Sequence, residues 1–206
     1  MNTARKPFKL LDYIVMAMMA SMGIAVKVII VPLAQIITGP LFIPGGVAAG
    51  GFYMAFLVLG HAITQKRGTA TIIALIQAAT VTITGTLGSH GAASLLTYTL
   101  PGVVVDLIYI AIRHKACCAL CCFFGGMTAN IVGSFAVNLA IFNLSAVPLL
   151  LSLSAASLSG GLGGLAAHSV AVNIRKLGIL GGGLSSSVPI PDAEPARSEG
   201  EHDEII

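Results

Sequence analysis

The sequence predicts an all-α integral membrane protein, a six-transmembrane-helix bundle with both termini cytoplasmic. Three observations carry that expectation. Of 206 residues, 56% are hydrophobic and only 9% charged, where a soluble domain carries about 25% charged residues. Apolar runs recur along the chain, and about 20 residues suffice to cross a bilayer as a helix. The basic residues, finally, fall in every second inter-span segment, the pattern of cytoplasmic loops.

The elements follow in order. A cytoplasmic segment, 1–12, carries Arg5, Lys6 and Lys9 and leads into span one, 13–37. Those cations and the apolar run after them also resemble a secretory signal. Apolar residues resume after Lys27, so the segment is expected to be retained as a span. Thr38-Gly39-Pro40 turns the chain into span two, 44–63, and Lys66-Arg67-Gly68 turns it into span three, 69–87. Gly88-Ser89-His90-Gly91 leads to span four, 94–112; Arg113-His114-Lys115 leads to span five, 116–143; Ser145 to Pro148 leads to span six, 149–174, closed by Arg175 and Lys176. The loops near 40, 90 and 146 hold no Lys or Arg, which places them outside and the termini in the cytoplasm. The six-helix transmembrane domain is thus 13–176, and 177–206, rich in Gly, Ser, Pro and acid, reads as a disordered acidic cytoplasmic tail.

Several chemistries are excluded. No Glu occurs before Glu194, no Walker lysine loop is present, and Gly183-Leu184-Ser185-Ser186-Ser187 lacks the second glycine of a nucleophile elbow. There is no room for a separate nucleotide-binding domain either. An enzyme is not expected, and the basic residues read as topology markers, not as a nucleic-acid surface.

Polar groups inside a bilayer are costly, so they mark candidate function. Lys27 lies about 15 Å from the outer end of span one at 1.5 Å per residue. Gln77 and Thr84 on span three, His90 in the loop, Tyr98 on span four, Asn138 on span five and Ser154 on span six gather on the outer half, and with Lys27 form the expected substrate-binding set. Lys27 and His90 would donate to a carboxylate, phosphate or ring nitrogen; a snorkelling lysine and a loop histidine are the structural alternative. Deeper, Asp106 and His168 fall at matching heights and are candidate neighbours; paired, they would fix helix packing or relay a proton. Cys117-Cys118-Ala119-Leu120-Cys121-Cys122 reads first as small residues at the membrane edge. A metal site on Cys117, Cys118, Cys121 and Cys122 would need an unwound turn or a partner segment, because one helical turn cannot wrap a tetrahedral ion. Small residues recur on span one as Ala17, Ser21 and Ala25, and on span five as Gly125, Ala129 and Gly133; span six holds Gly160-Gly161-Leu162-Gly163-Gly164. Such stripes let helices approach closely, within the bundle or against another subunit.

Residues 10–176 resemble the S components, the substrate-binding membrane subunits of energy-coupling factor (ECF) ABC-type vitamin transporters. The likeness rests on the six spans, the small-residue stripe of span one, the Gly/Pro-rich first external loop and the missing ATP motif. In that family an Ala-x-x-x-Ala pattern on the first helix docks on the transmembrane coupling (T) subunit; Ala17 and Ala25 fit it and Ser21 departs from it. Gly39-Pro40 to Tyr53 and Lys66-Arg67-Gly68-Thr69-Ala70 look most similar to the hydroxymethylpyrimidine/thiamin branch. The chain departs from that branch in having no Trp and no outer-half carboxylate. The nickel and cobalt branch is not expected, since a histidine near residue 2 is absent. The resemblance implies capture of a vitamin or vitamin precursor at the bacterial plasma membrane. Uptake would be driven by ATP used in two partner ATPase subunits, with no cofactor in this chain and no nucleic acid. Two rivals remain open: an autonomous proton-coupled carrier using Asp106 and His168, and a membrane metal or redox protein built on the cysteines.

Overall fold

In the computed structural model the described residues are 7–41, 43–85, 91, 93–112 and 116–177. They form six α-helices and no strand: α1 (Leu10–Thr38), α2 (Gly45–Thr64), α3 (Thr69–Thr84), α4 (Ala93–Ala111), α5 (Ala119–Val137) and α6 (Ala146–Lys176). A 3₁₀ turn, Gly39–Leu41, follows α1, and α5 runs on through a π turn, Asn138–Phe142. Five of these helices are long and apolar enough to cross a membrane by length and composition; α3, with 16 residues, is shorter. Both helix starts and stops follow the turn residues read from the sequence. Lys9 N–H donates to the Asp12 carboxylate (2.6 Å), which suits the positive end of α1. At the ends of α2 and α5, Gln65 and Asn143 take left-handed conformations that stop each helix.

The bundle is organised around α2, which packs against α1, α3, α5 and α6. Glycine makes this closeness possible. A methyl group at Gly51 would meet Ser159, and one at Gly163 would run into the backbone of Gly51, so α2 and α6 touch through their main chains. Gly126 of α5 meets Gly160 and Gly164 of α6 in the same way. The stripes on spans five and six therefore serve packing inside the bundle. Asn130 fastens the junction, its Nδ2 donating to the carbonyls of Val47 (3.0 Å) and Ala156 (2.9 Å).

The stripe of span one behaves differently. Ala17, Ser21 and Ala25 are all exposed, flanked by exposed Leu10, Ile14, Met18, Met22 and Ile29, while Met16, Met19, Ala20 and Gly23 face the core. The Ser21 hydroxyl spends itself on the Ala17 carbonyl one turn back (3.0 Å), so the stripe presents little polarity.

Candidate functional site

The bundle has two chemically distinct ends. Toward the end where α1, α3 and α5 finish and α2, α4 and α6 begin lies a cavity of about 210 Å³. That is below the roughly 300–1,000 Å³ of drug-sized sites.

Lys27 is the one charged side chain among the described lining residues. It comes from the middle of α1, where Gly23 leaves space one turn earlier for the Gln77 amide. Its ammonium donates to the Tyr98 hydroxyl and lies 3.9 Å from the Tyr98 ring centre and 5.2 Å from that of Tyr53. Aromatic faces stabilise a cation without neutralising it. Tyr53 is held in turn by its hydroxyl donating to Gly46 O (2.8 Å). Gln77 is buried and reaches Ala20 O at 3.5 Å, a long contact that leaves amide capacity for the cavity.

The far wall comes from α5 and α6. Asn138 Oδ1 accepts from Leu144 N–H (2.9 Å), pinning the π turn to the start of α6. Ser152 is buried, lines the cavity, and its hydroxyl has no partner there. Buried hydroxyls in native proteins are almost always satisfied, so this one is available to a water or to a ligand group that enters the cavity. At the mouth, Gln35 Oε1 accepts from Gly45 N–H, joining the end of α1 to the start of α2.

Of the residues expected to bind substrate, the structure brings together Lys27, Gln77, Tyr98 and Asn138. Thr84 and Ser154 are not among the described lining residues: both are exposed, and their hydroxyls donate to Thr80 O (2.7 Å) and Leu150 O (2.9 Å) of their own helices. His90 lies outside the described residues. Tyr53, Gln35 and Ser152 complete the wall. Ser152 was legible as one of several outer-half serines, and Tyr53 and Gln35 carried no signal beyond being polar in an apolar run.

The opposite end holds a second buried polar group. Asp106 of α4 accepts from Thr71 N–H (2.8 Å) and Thr71 Oγ1 (2.7 Å) at the start of α3, and its Oδ1 lies 3.2 Å from His61 Nδ1 of α2. The contact is an ion pair when the His61 imidazole is protonated, and neither atom has a hydrogen-bond partner. The His61 ring lies against Tyr109, ring centres 4.6 Å apart. His61 therefore takes the place expected of His168. Among the described residues the ion pairs are His61–Asp106 and Lys66–Asp12, and His168 is half-buried on a different face of α6. Three of the cysteines, Cys117, Cys118 and Cys121, bring their sulfurs within 4.8 Å of one another at this end, on the turn before α5 and its first residues, while Cys122 faces the core.

The family described as "ABC-type cobalt transport system, permease component" matches residues 11–132, more than half of the chain. The chain belongs to this family. The solved structure described as "Crystal structure of an S-component of ECF transporter" aligns with a TM-score of 0.70 at 19% identity, covering 85% of this chain and 90% of that one. At that identity the likeness establishes a shared fold. No curated protein matches the chain. Fold and family together make this permease component a multi-pass membrane protein of the transport kind, a family of transporter subunits and not of enzymes.

Proposed function

We propose that this permease component is the substrate-capturing subunit of an ECF-type importer, and that its cargo is a small organic molecule of about one ring with an electron-rich or anionic group. The observation that carries this reading is Lys27 seated between Tyr53 and Tyr98 in a cavity that the buried Ser152 also lines. A cation about 4 Å from an anionic ligand group gains on the order of 4 kcal/mol at an effective dielectric of 20. The rings offer faces for stacking, and Gln77 and Asn138 offer amides for orientation. A vitamin or vitamin precursor fits this chemistry, and the volume favours a one-ring precursor such as hydroxymethylpyrimidine over the larger two-ring thiamin. Cobalt, named in the family description, fits it less well: no His, Cys, Asp or Glu is among the described lining residues, and Lys27 repels a cation.

The described charges Lys9, Lys66, Arg67, Arg175 and Lys176 lie away from the cavity, which supports an outward-opening cavity and cytoplasmic termini. The T subunit would dock on the exposed face of Ala17, Ser21 and Ala25, and two ATPase subunits would supply the energy. Native mass spectrometry of the purified chain identifies the carried-over ligand, and calorimetry with hydroxymethylpyrimidine, thiamin and Co²⁺ ranks the candidates. Binding of Co²⁺ alone, unaffected by Lys27→Met, would overturn the proposal. The buried His61–Asp106 pair favours a second reading, a carrier that works alone by moving protons; uptake by this chain by itself in liposomes, driven by a pH gradient, would establish it.

A further inference from the structure

Cys118-Ala119-Leu120-Cys121 opens α5 with two thiols one helical turn apart. Cys118 is the residue before the helix, and its sulfur accepts from Cys121 N–H (3.4 Å), so it sits on the positive end of the helix dipole. Its sulfur is 2.8 Å from that of Cys121, and the two differ in access: Cys118 is exposed, Cys121 buried. The turn is held in place from two sides. Gln65 Nε2 donates to Ala116 O (3.2 Å), and Tyr109 donates to Cys121 O (3.2 Å). An exposed sulfur at a helix start, followed three residues later by a shielded one, is the arrangement in which one thiol attacks and the other resolves.

We propose that Cys118 and Cys121 form a redox-active dithiol that exchanges with low-molecular-weight disulfides. The Cys118 thiolate attacks one sulfur of the small disulfide, forming a mixed disulfide and releasing one small thiolate. The Cys121 sulfur then attacks Cys118 Sγ, closing an intramolecular disulfide and releasing the second small thiol. Two electrons pass from the protein to the small disulfide, and the two protein thiol protons leave with the two small thiols.

The test equilibrates the full chain in detergent with reduced and oxidised glutathione at graded ratios, quenches with an alkylating agent, and maps the bridged peptides by mass. The expected result is a reversible loss of two of the four free thiols, bridged as Cys118–Cys121, with a single midpoint. Cys118→Ser, at an exposed position, should abolish the bridge, and Cys122→Ser should leave it unchanged; a melting curve for each variant reports that it is folded. Failure of wild type to form any bridge at any ratio overturns the proposal, as does a bridge that maps to Cys117. Stoichiometric zinc or copper that shields Cys117, Cys118 and Cys121 in the purified protein also overturns it, and makes the cluster a metal centre. None of these readouts depends on the identity of the transported substrate.

Discussion

Lys27 and Asp106 are the two charges placed inside the spans by the sequence, and they face opposite ends of the bundle. Lys27 sits among the rings of Tyr53 and Tyr98, so replacing it with Met keeps the volume and removes the charge. A hydrogen bond to a charged group contributes about 1.5–3 kcal/mol, so Lys27→Met should weaken ligand binding by roughly 10- to 150-fold while the melting temperature stays within a degree or two. Calorimetry beside a melting curve checks both halves. Asp106 has the opposite character, because its partners hold three helices together. His61→Ala strands a buried carboxylate, and breaking such a pair costs about 3–5 kcal/mol. The melting temperature should fall by several degrees for His61→Ala and remain unchanged for His168→Ala. The reverse ranking would restore His168 as the partner. Depth along the spans pointed to His168, six residues from the inner end of its span as Asp106 is, whereas His61 lies only two residues from the inner end of span two.

At the scale of the helix, spacing locates a residue's face only when the helix has one. Ser152 and Ser154 are two positions apart, about 200° around the helix, and only Ser152 turns inward. Both faces of α6 are apolar, so the pattern does not say which is the wall. Thr84 shares a face with Gln77 by spacing, yet it is the last residue of α3 and is exposed beyond the cavity. The glycine stripes, in contrast, were legible as close-packing surfaces, and α6 uses them. Gly163→Ala would push a methyl into the backbone of Gly51, and overpacking of this kind costs about 1–3 kcal/mol. Gly46→Ala meets nothing nearer than the Tyr53 hydroxyl at 3.7 Å and should leave the melting temperature unchanged. On α1 the exposed stripe gives a different expectation. Ser21→Leu should leave ligand binding intact and abolish co-purification with the partner subunits; intact assembly would remove docking from this face.

For the whole molecule, the separation of a near-neutral cavity end from a basic end sets how the chain sits in a bilayer. Positive segments stay cytoplasmic, so exposed Cys118 should react with a membrane-impermeant maleimide in inside-out vesicles and not in right-side-out ones. The opposite labelling pattern would invert the proposed orientation. The sequence by itself determined the helical class, the order of the six helices with ends within about three residues, and the end where polar capacity gathers. Those follow from local quantities, the transfer free energy of each stretch and the charges at its ends. Only the tertiary structure decided that Asp106 meets His61, that Tyr53 and Ser152 join Lys27, and that the stripe of α1 stays exposed while those of α5 and α6 are buried. Which sides of two apolar helices meet depends on how small residues on both let their backbones approach, and that is a property of the pair and not of either sequence alone.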